Sequence, residues 1–171
     1  MAKPVVSIVM GSESDLELMK ETSSILGSFR IPHELRVLSA HRSPRLLARY
    51  VHKAEKGGVK VFVAGAGAAA ALPGAVAALT TRPVLGVPIP SSELKGIDSI
   101  LAIAQMPSGI PVATLAIGRP GARNAGYLAA EILALSDPRL AAVLVRDRVG
   151  QERAVGRKDA QVRRKGSGAL P

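Results

Sequence analysis

The stretch VKVFVAGAGAAAALPG, Val59–Gly74, decides the fold. Val59–Ala64, whose last four residues are Val61-Phe62-Val63-Ala64, reads as a strand. Gly65–Ala70 is a loop of small residues, and a helix is predicted to begin near Leu72-Pro73, because proline is tolerated in a first helical turn. A strand turning through a loop of small residues into a helix suits a parallel sheet covered on both faces.

The same alternation extends in both directions. Upstream, Val5–Met10 is a second apolar run ending at Gly11. Ser14-Asp15-Leu16-Glu17 fits a capping box for a helix to about Leu26. Glu34–Leu38 reads as a strand, Ser43-Pro44 as an N-cap with proline at the first helical position, and Gly57-Gly58 as the stop of a helix ending near Lys56. Downstream, strands are expected at Pro83–Val87 and Pro111–Ile117, and helices at Asp98–Ala104, Asn124–Leu135 and Pro138–Arg157. Strands alternating with helices imply an α/β domain: a three-layer α/β/α, flavodoxin-like doubly wound parallel sheet of about five strands. The expected organisation is a single catalytic domain over residues 1–158, including a C-terminal helix, and a basic, disordered tail over 159–171.

Composition narrows the classes. Hydrophobic residues make up 47% of the 171, yet aromatics are only 2% and tryptophan is absent, so the core must be built from Ala, Val, Ile and Leu. With no cysteine in the chain, disulfides, thiolate metal sites and a cysteine nucleophile are excluded. Val61–Thr81 is uncharged and long enough to span a bilayer, but its glycines, Pro73 and many alanines suit a strand, a loop and a helix better. Met1–Pro4 leads directly into a strand-like run, so no signal peptide is expected, and the compartment expected is the cytoplasm. The net charge is +10, and the segment from Arg146 onward carries eight Lys/Arg against three Asp/Glu, which is +5 of it. Such a tail can bind nucleic acid or be a solvated helix face. Two tyrosines and two phenylalanines provide no series of platforms for stacked bases.

In a doubly wound sheet, ligands bind beyond the carboxyl ends of the strands near a switch in strand order. The loops there read Gly11-Ser12-Glu13-Ser14-Asp15, Ser39-Ala40-His41-Arg42-Ser43-Pro44 and Gly65–Ala70. Small hydroxyls and open amides at helix N-termini favour a phosphate, and Arg42 can add a bidentate contact. Asp15 can accept bonds from a sugar diol. His41 is the only histidine in these loops, and histidine, with a reference pKa of about 6.5, is suited to trading a proton near neutrality. Each residue has a plainer reading: Ser14 and Ser43 as helix caps, Asp15 as a partner of a helix dipole, His41 as a loop histidine with a satisfied hydrogen bond. His33 precedes a strand and His52 lies on a helix, and the three histidines lack a metal-ligand spacing. Gly65–Ala70 also matches the G-x-G-x-x-G/A dinucleotide fingerprint. No acidic residue occurs in Ala71–Pro90, where the ribose partner belongs, so a dinucleotide is not expected.

Taken together, GSESD (Gly11–Asp15), SAHRSP (Ser39–Pro44), AGAGAAAALPG (Ala64–Gly74), LGVP (Leu85–Pro88), DSILAIAQMPSGIPVATLAIG (Asp98–Gly118) and GARNAGYLAAEILAL (Gly121–Leu135) resemble the N5-carboxyaminoimidazole ribonucleotide mutase family, the class I AIR-carboxylase-type enzymes of purine biosynthesis. The likeness runs from about Val5 to Arg148. It implies a cytoplasmic homo-octamer without metal or organic cofactor, acting on a small ribonucleotide and on neither nucleic acid nor membrane. It also implies the reaction: conversion of the N5-carboxyamino compound (N5-CAIR) to the 4-carboxy isomer, by decarboxylation, recapture of CO2 at C4 and loss of the C4 proton. Carried over by position, His41 is the general acid/base, Ser14, Ser39 and Arg42 hold the phosphate, Asp15 binds the ribose hydroxyls, and Ser12, Ala66 and Gly67 line the pocket. Two positions depart from class I. Ala71 stands where AAHLPG has histidine, and Ser108 resembles class II, which carboxylates AIR with CO2 directly. Arg42, in place of the lysine of SAHK, and a loop unlike AGRSN favour class I. The alternatives are therefore the direct carboxylase on the same site and a basic nucleic-acid-binding module using the tail.

Overall fold

The computed structural model describes residues 3–166, which divide between two compact units at Leu133/Ala134. The first contains five strands: β1 (Val6–Met10), β2 (His33–Val37), β3 (Val61–Gly67), β4 (Val84–Ile89) and β5 (Ala113–Thr114). It also contains the helices α1 (Leu16–Ser28), α2 (Pro44–Gly57), α3 (Ala71–Ala77) and α4 (Ile97–Ala104), and all but the last residue of α5 (Arg119–Ala134). Every strand pair is parallel, in the order β2-β1-β3-β4-β5. The expected flavodoxin-like three-layer α/β/α arrangement is therefore the one observed.

Burial explains the order. β1 and β4 are buried along their full length and β3 along all but its last residue, so these apolar runs occupy the centre of the sheet. β2 is half exposed and sits at an edge. Side chains alternate between the faces. Val9, Phe62, Ala64 and Val84 pack with Leu47, Tyr50 and Val51 of α2, Leu72 and Val76 of α3 and Ile103 of α4. Toward the opposite face, a Cβ at Gly65 would meet Met19 of α1, and one at Gly126 of α5 would meet Ile25 of α1. The Thr22 hydroxyl donates to the Ala122 carbonyl across that helix pair at 2.7 Å, and Glu21 pairs with both Arg119 and Arg123. Only alanine and glycine on α5 permit so close an approach, which is why an aromatic-poor sequence still closes its core.

Several expected boundaries are corrected. β3 continues through Gly67, because Gly65, Ala66 and Gly67 pair with Val87, Pro88 and Ile89 of β4. The dinucleotide fingerprint therefore begins inside a strand. β5 shrinks to two residues: Pro111 has no N–H to give a ladder, and only Ala113 and Thr114 pair with β4. The cap of the first helical turn is Ser12 rather than Ser14. Its hydroxyl accepts the Ser14 N–H, while the Asp15 carboxylate accepts the Ser12 N–H at 3.1 Å. Ser43 holds the N-cap position of α2 without capping it, because its hydroxyl is engaged with Ser39. α5 begins at Arg119, with Pro120 in the first turn where no intrahelical bond is lost.

In the second unit, α6 runs from Pro138 to Gly166. Asp137 accepts the Arg139 and Leu140 N–H groups at 3.0 and 3.1 Å and starts it. The helix passes Lys158 without a break and takes in residues 159–166, the first part of the segment expected as a basic tail. An Asp159–Arg163 pair one turn apart lies in this part. The remainder of the expected tail, 167–171, lies outside the described residues. No helix among the described residues is long and apolar enough to cross a membrane.

Candidate active site

β1, β2 and β3 are hydrogen-bonded neighbours, so the loops leaving their carboxyl ends are brought side by side. They enclose a cavity of about 340 Å³. All eight residues singled out from the sequence line it: Ser12, Ser14 and Asp15 after β1, Ser39, His41 and Arg42 after β2, and Ala66 and Gly67 at the end of β3. Gly11, Ala40, Ala70, Ala71, Leu72 and Ser91 complete the wall. His33 and His52 are elsewhere. His33 bonds to the Ser23 hydroxyl and the Ile31 carbonyl, and His52 is exposed on α2.

The β2–α2 turn is closed on itself. The Ser43 hydroxyl donates to the Ser39 carbonyl and accepts the Ser39 N–H, both at 3.1 Å. The Ser39 hydroxyl accepts the Arg42 N–H at 3.1 Å. This brace holds Ala40-His41 at the tip of the turn, with the His41 side chain exposed. The Arg42 guanidinium donates to the Gly11 carbonyl at 2.9 Å and ties this turn to the one after β1. A guanidinium fixed by one N–H still presents others toward the cavity.

The β1 turn supplies hydroxyls and a carboxylate. Ser14 donates its hydroxyl to that of Ser12 at 2.9 Å. Asp15 is only 8% exposed. Burial pushes its carboxyl above the usual carboxylate range, against the opposing pull of bonds from the Ser12 backbone, the Ser14 hydroxyl and the Gly11 backbone. The β3 wall consists of glycine and alanine, so a ligand can approach backbone closely. Ala68 and Ala70 hold left-handed backbone with φ of 52° and 45°, a conformation that costs an L-residue about 1–2 kcal/mol. Among the described residues, no group of three or more His, Asp and Glu side chains could hold a metal ion.

Ser91 was missed by sequence reasoning. It is the second residue after β4, and its hydroxyl abuts Gly67 across the β3–β4 pair. The signal available was a hydroxyl just past the carboxyl end of a strand that a flavodoxin-like order places beside β3. Ala71, the departure from the class I pattern, also lies in the cavity wall.

A doubly wound sheet with a hydroxyl-rich, arginine-bearing cavity at the carboxyl ends of three adjacent strands defines the class, an α/β protein with a site suited to a small anionic ligand. The chain belongs to the AIR carboxylase family, whose model matches residues 5–154. Its relatives include a Bacillus subtilis protein named N5-carboxyaminoimidazole ribonucleotide mutase, 53% identical over 81% of this chain and 86% of that one. A Pyrococcus horikoshii protein of the same name is 51% identical over 91% and 87%. Among solved structures, Treponema denticola PurE superposes with a TM-score of 0.84 at 29% identity, covering 92% of this chain and 98% of that one.

Proposed function

We propose that the chain is an N5-carboxyaminoimidazole ribonucleotide mutase, an isomerase of purine biosynthesis. The observation that supports this reading is that one histidine, one arginine, three serines and one buried aspartate, contributed by two separate turns, share a small cavity floored by alanine and glycine. Relatives at about half identity carry the mutase name.

Each residue has a task in the reading. The 5′-phosphate sits between Arg42 and the hydroxyls of Ser14 and Ser39, where open amides and a guanidinium meet. Asp15 accepts the ribose hydroxyls, and Ser12, Ala66 and Gly67 contact the heterocycle. His41, protonated, donates to N5 as the N5–carboxylate bond breaks and CO2 is released within the cavity. C4 then attacks CO2, forming the new C–C bond, and His41 takes the C4 proton. The net change is one carboxylate moved from N5 to C4 and one proton moved from C4 to N5. The small residues of the wall let CO2 remain against the ring without offering it a nucleophile. The same reading makes the protein a cytoplasmic homo-octamer, which sedimentation velocity tests.

A second reading keeps the site and changes the substrate: AIR and CO2 are taken up directly. It is favoured by Ala71 in the cavity wall, where the class I pattern has histidine. Incubation with N5-CAIR, and separately with AIR plus bicarbonate, decides the matter. Formation of the 4-carboxy isomer from the first alone is expected. Product only from the second would replace the mutase, and product from neither would remove both readings.

A further inference from the structure

A second, larger cavity of about 590 Å³ is lined by residues of β2 and α2, and it runs from Lys3 and Val59, which precede β1 and β3, to Arg36 and Leu46 toward the carboxyl ends. Its volume falls within the range of about 300–1,000 Å³ found for small-molecule sites. Four cationic side chains line it, Lys3, Arg36, Arg49 and Lys53, against one carboxylate, Glu34.

That carboxylate is already engaged. Glu34 accepts the Tyr50 hydroxyl at 2.8 Å and lies 3.8 Å from Arg36, whose guanidinium stacks over the Tyr50 ring at 4.7 Å. Tyr50 is itself anchored in the sheet through a short hydrogen bond with the buried Ser7 hydroxyl. One wall is thus a fixed assembly of ring, guanidinium and carboxylate. Lys3, Arg49 and Lys53 have no carboxylate partner among the described residues. Arg45, Arg49 and Lys53 succeed one another at four-residue intervals on α2, a spacing at which like charges cost about 0.2–0.5 kcal/mol per pair. An anion between Arg49 and Lys53 removes that repulsion. Leu46 and Val59 give the same cavity an apolar side.

We propose that this cavity is a binding site for a phosphate monoester with a planar, ring-bearing body, of the class of a nucleoside monophosphate. Lys3, Arg49 and Lys53 hold the dianion, while the body lies along Leu46 and the Arg36–Tyr50 stack. The site is separate from the cavity that holds His41 and does not depend on the function assigned there.

The test is calorimetric titration of the full chain with AMP and, separately, with inorganic phosphate, on the Arg42→Ala background so that binding beside His41 is weakened. AMP is expected to bind, and adding Arg49→Ala with Lys53→Ala is expected to weaken it at least tenfold. The milder pair Arg49→Gln and Lys53→Gln, on exposed positions of α2, should act in the same direction. Inorganic phosphate should bind more weakly than AMP. Absence of AMP binding on the Arg42→Ala background, or binding unchanged by both double variants, overturns the site. Equal affinity for phosphate and AMP overturns the assignment of a nucleoside body.

Discussion

Gly67→Ala should destabilise the protein by about 2 kcal/mol, and Ser91→Gly should recover much of that loss. Gly67 pairs with Ile89 at the end of the β3–β4 ladder. A Cβ there would lie 2.9 Å from the Ser91 Cβ and 3.1 Å from the Ile89 carbonyl oxygen, and would overlap the Ser91 hydroxyl. The hydroxyl can rotate away, but the carbonyl cannot retreat freely. It accepts the Ser91 N–H at 2.9 Å and the buried Ser99 hydroxyl at 3.1 Å. Moving it weakens bonds worth about 1 kcal/mol each, and the displaced Ser91 adds strain of similar size, within the roughly 1–3 kcal/mol typical of overpacking. For a chain of this length the melting temperature should fall by roughly 4–8 °C. Ser91→Gly alone touches an exposed residue and should stay within about 0.5 kcal/mol of the parent. In the double variant only the 3.1 Å contact remains, so a coupling of about 1 kcal/mol is expected from urea denaturation of the four proteins. A Gly67→Ala protein as stable as the parent, or a double variant no better than the single, would refute the close approach of these strands.

His41→Ala should abolish turnover while nucleotide affinity stays within about tenfold, as measured by product formation and equilibrium binding. Arg42→Ala should weaken ribonucleotide binding by more than tenfold, because it removes both a phosphate contact and the tie to Gly11; unchanged affinity would count against its role. Ala68→Gly should raise stability by about 1 kcal/mol, read as a higher denaturant midpoint, since the exposed left-handed alanine gains a permitted conformation. Asp15 carries a pH dependence. Its folded pKa is raised, so the folded state binds its proton more readily than the unfolded chain, and its contribution to stability is lost as pH rises through the folded value. Asp15→Asn should therefore gain on the parent as pH rises through and above the usual carboxylate range; a constant difference between pH 3 and 8 in denaturation would contradict the burial argument.

The sequence was most informative where local chemistry and tertiary packing agree. α2 shows its start in Ser43-Pro44 and its stop in Gly58, which holds φ 110°. β1 is apolar apart from Ser7, whose buried hydroxyl is satisfied by Tyr50, and its burial in mid-sheet follows. The end of β3 was hidden because glycine and alanine are poor strand formers, and only the ladder to β4 makes Gly65–Gly67 extended. The extent of α6 was hidden for the reverse reason. Its charged residues suggest a solvated tail, yet arginine, lysine, glutamine and alanine are good helix formers once Asp137 starts the turn. At the site, the turns after β1 and β2 could be read from their hydroxyls, arginine and histidine. The hydrogen bond from Arg42 to the Gly11 carbonyl, 31 residues away in sequence, and the meeting of Ser91 with Gly67 are products of strand order.

Strand order also supplies the cavity with a ruler. Three adjacent parallel strands hold their carboxyl ends at a fixed pitch of about 4.8 Å, so the outer two of the three turns stand about 9.6 Å apart however their sequences drift. That gap accommodates a ring and a sugar laid across the strand ends, and it cannot be adjusted by substitutions within the turns. A wider or narrower ligand therefore calls for a change in turn length, so the span of molecule this scaffold can accept is set by strand spacing before any side chain is chosen.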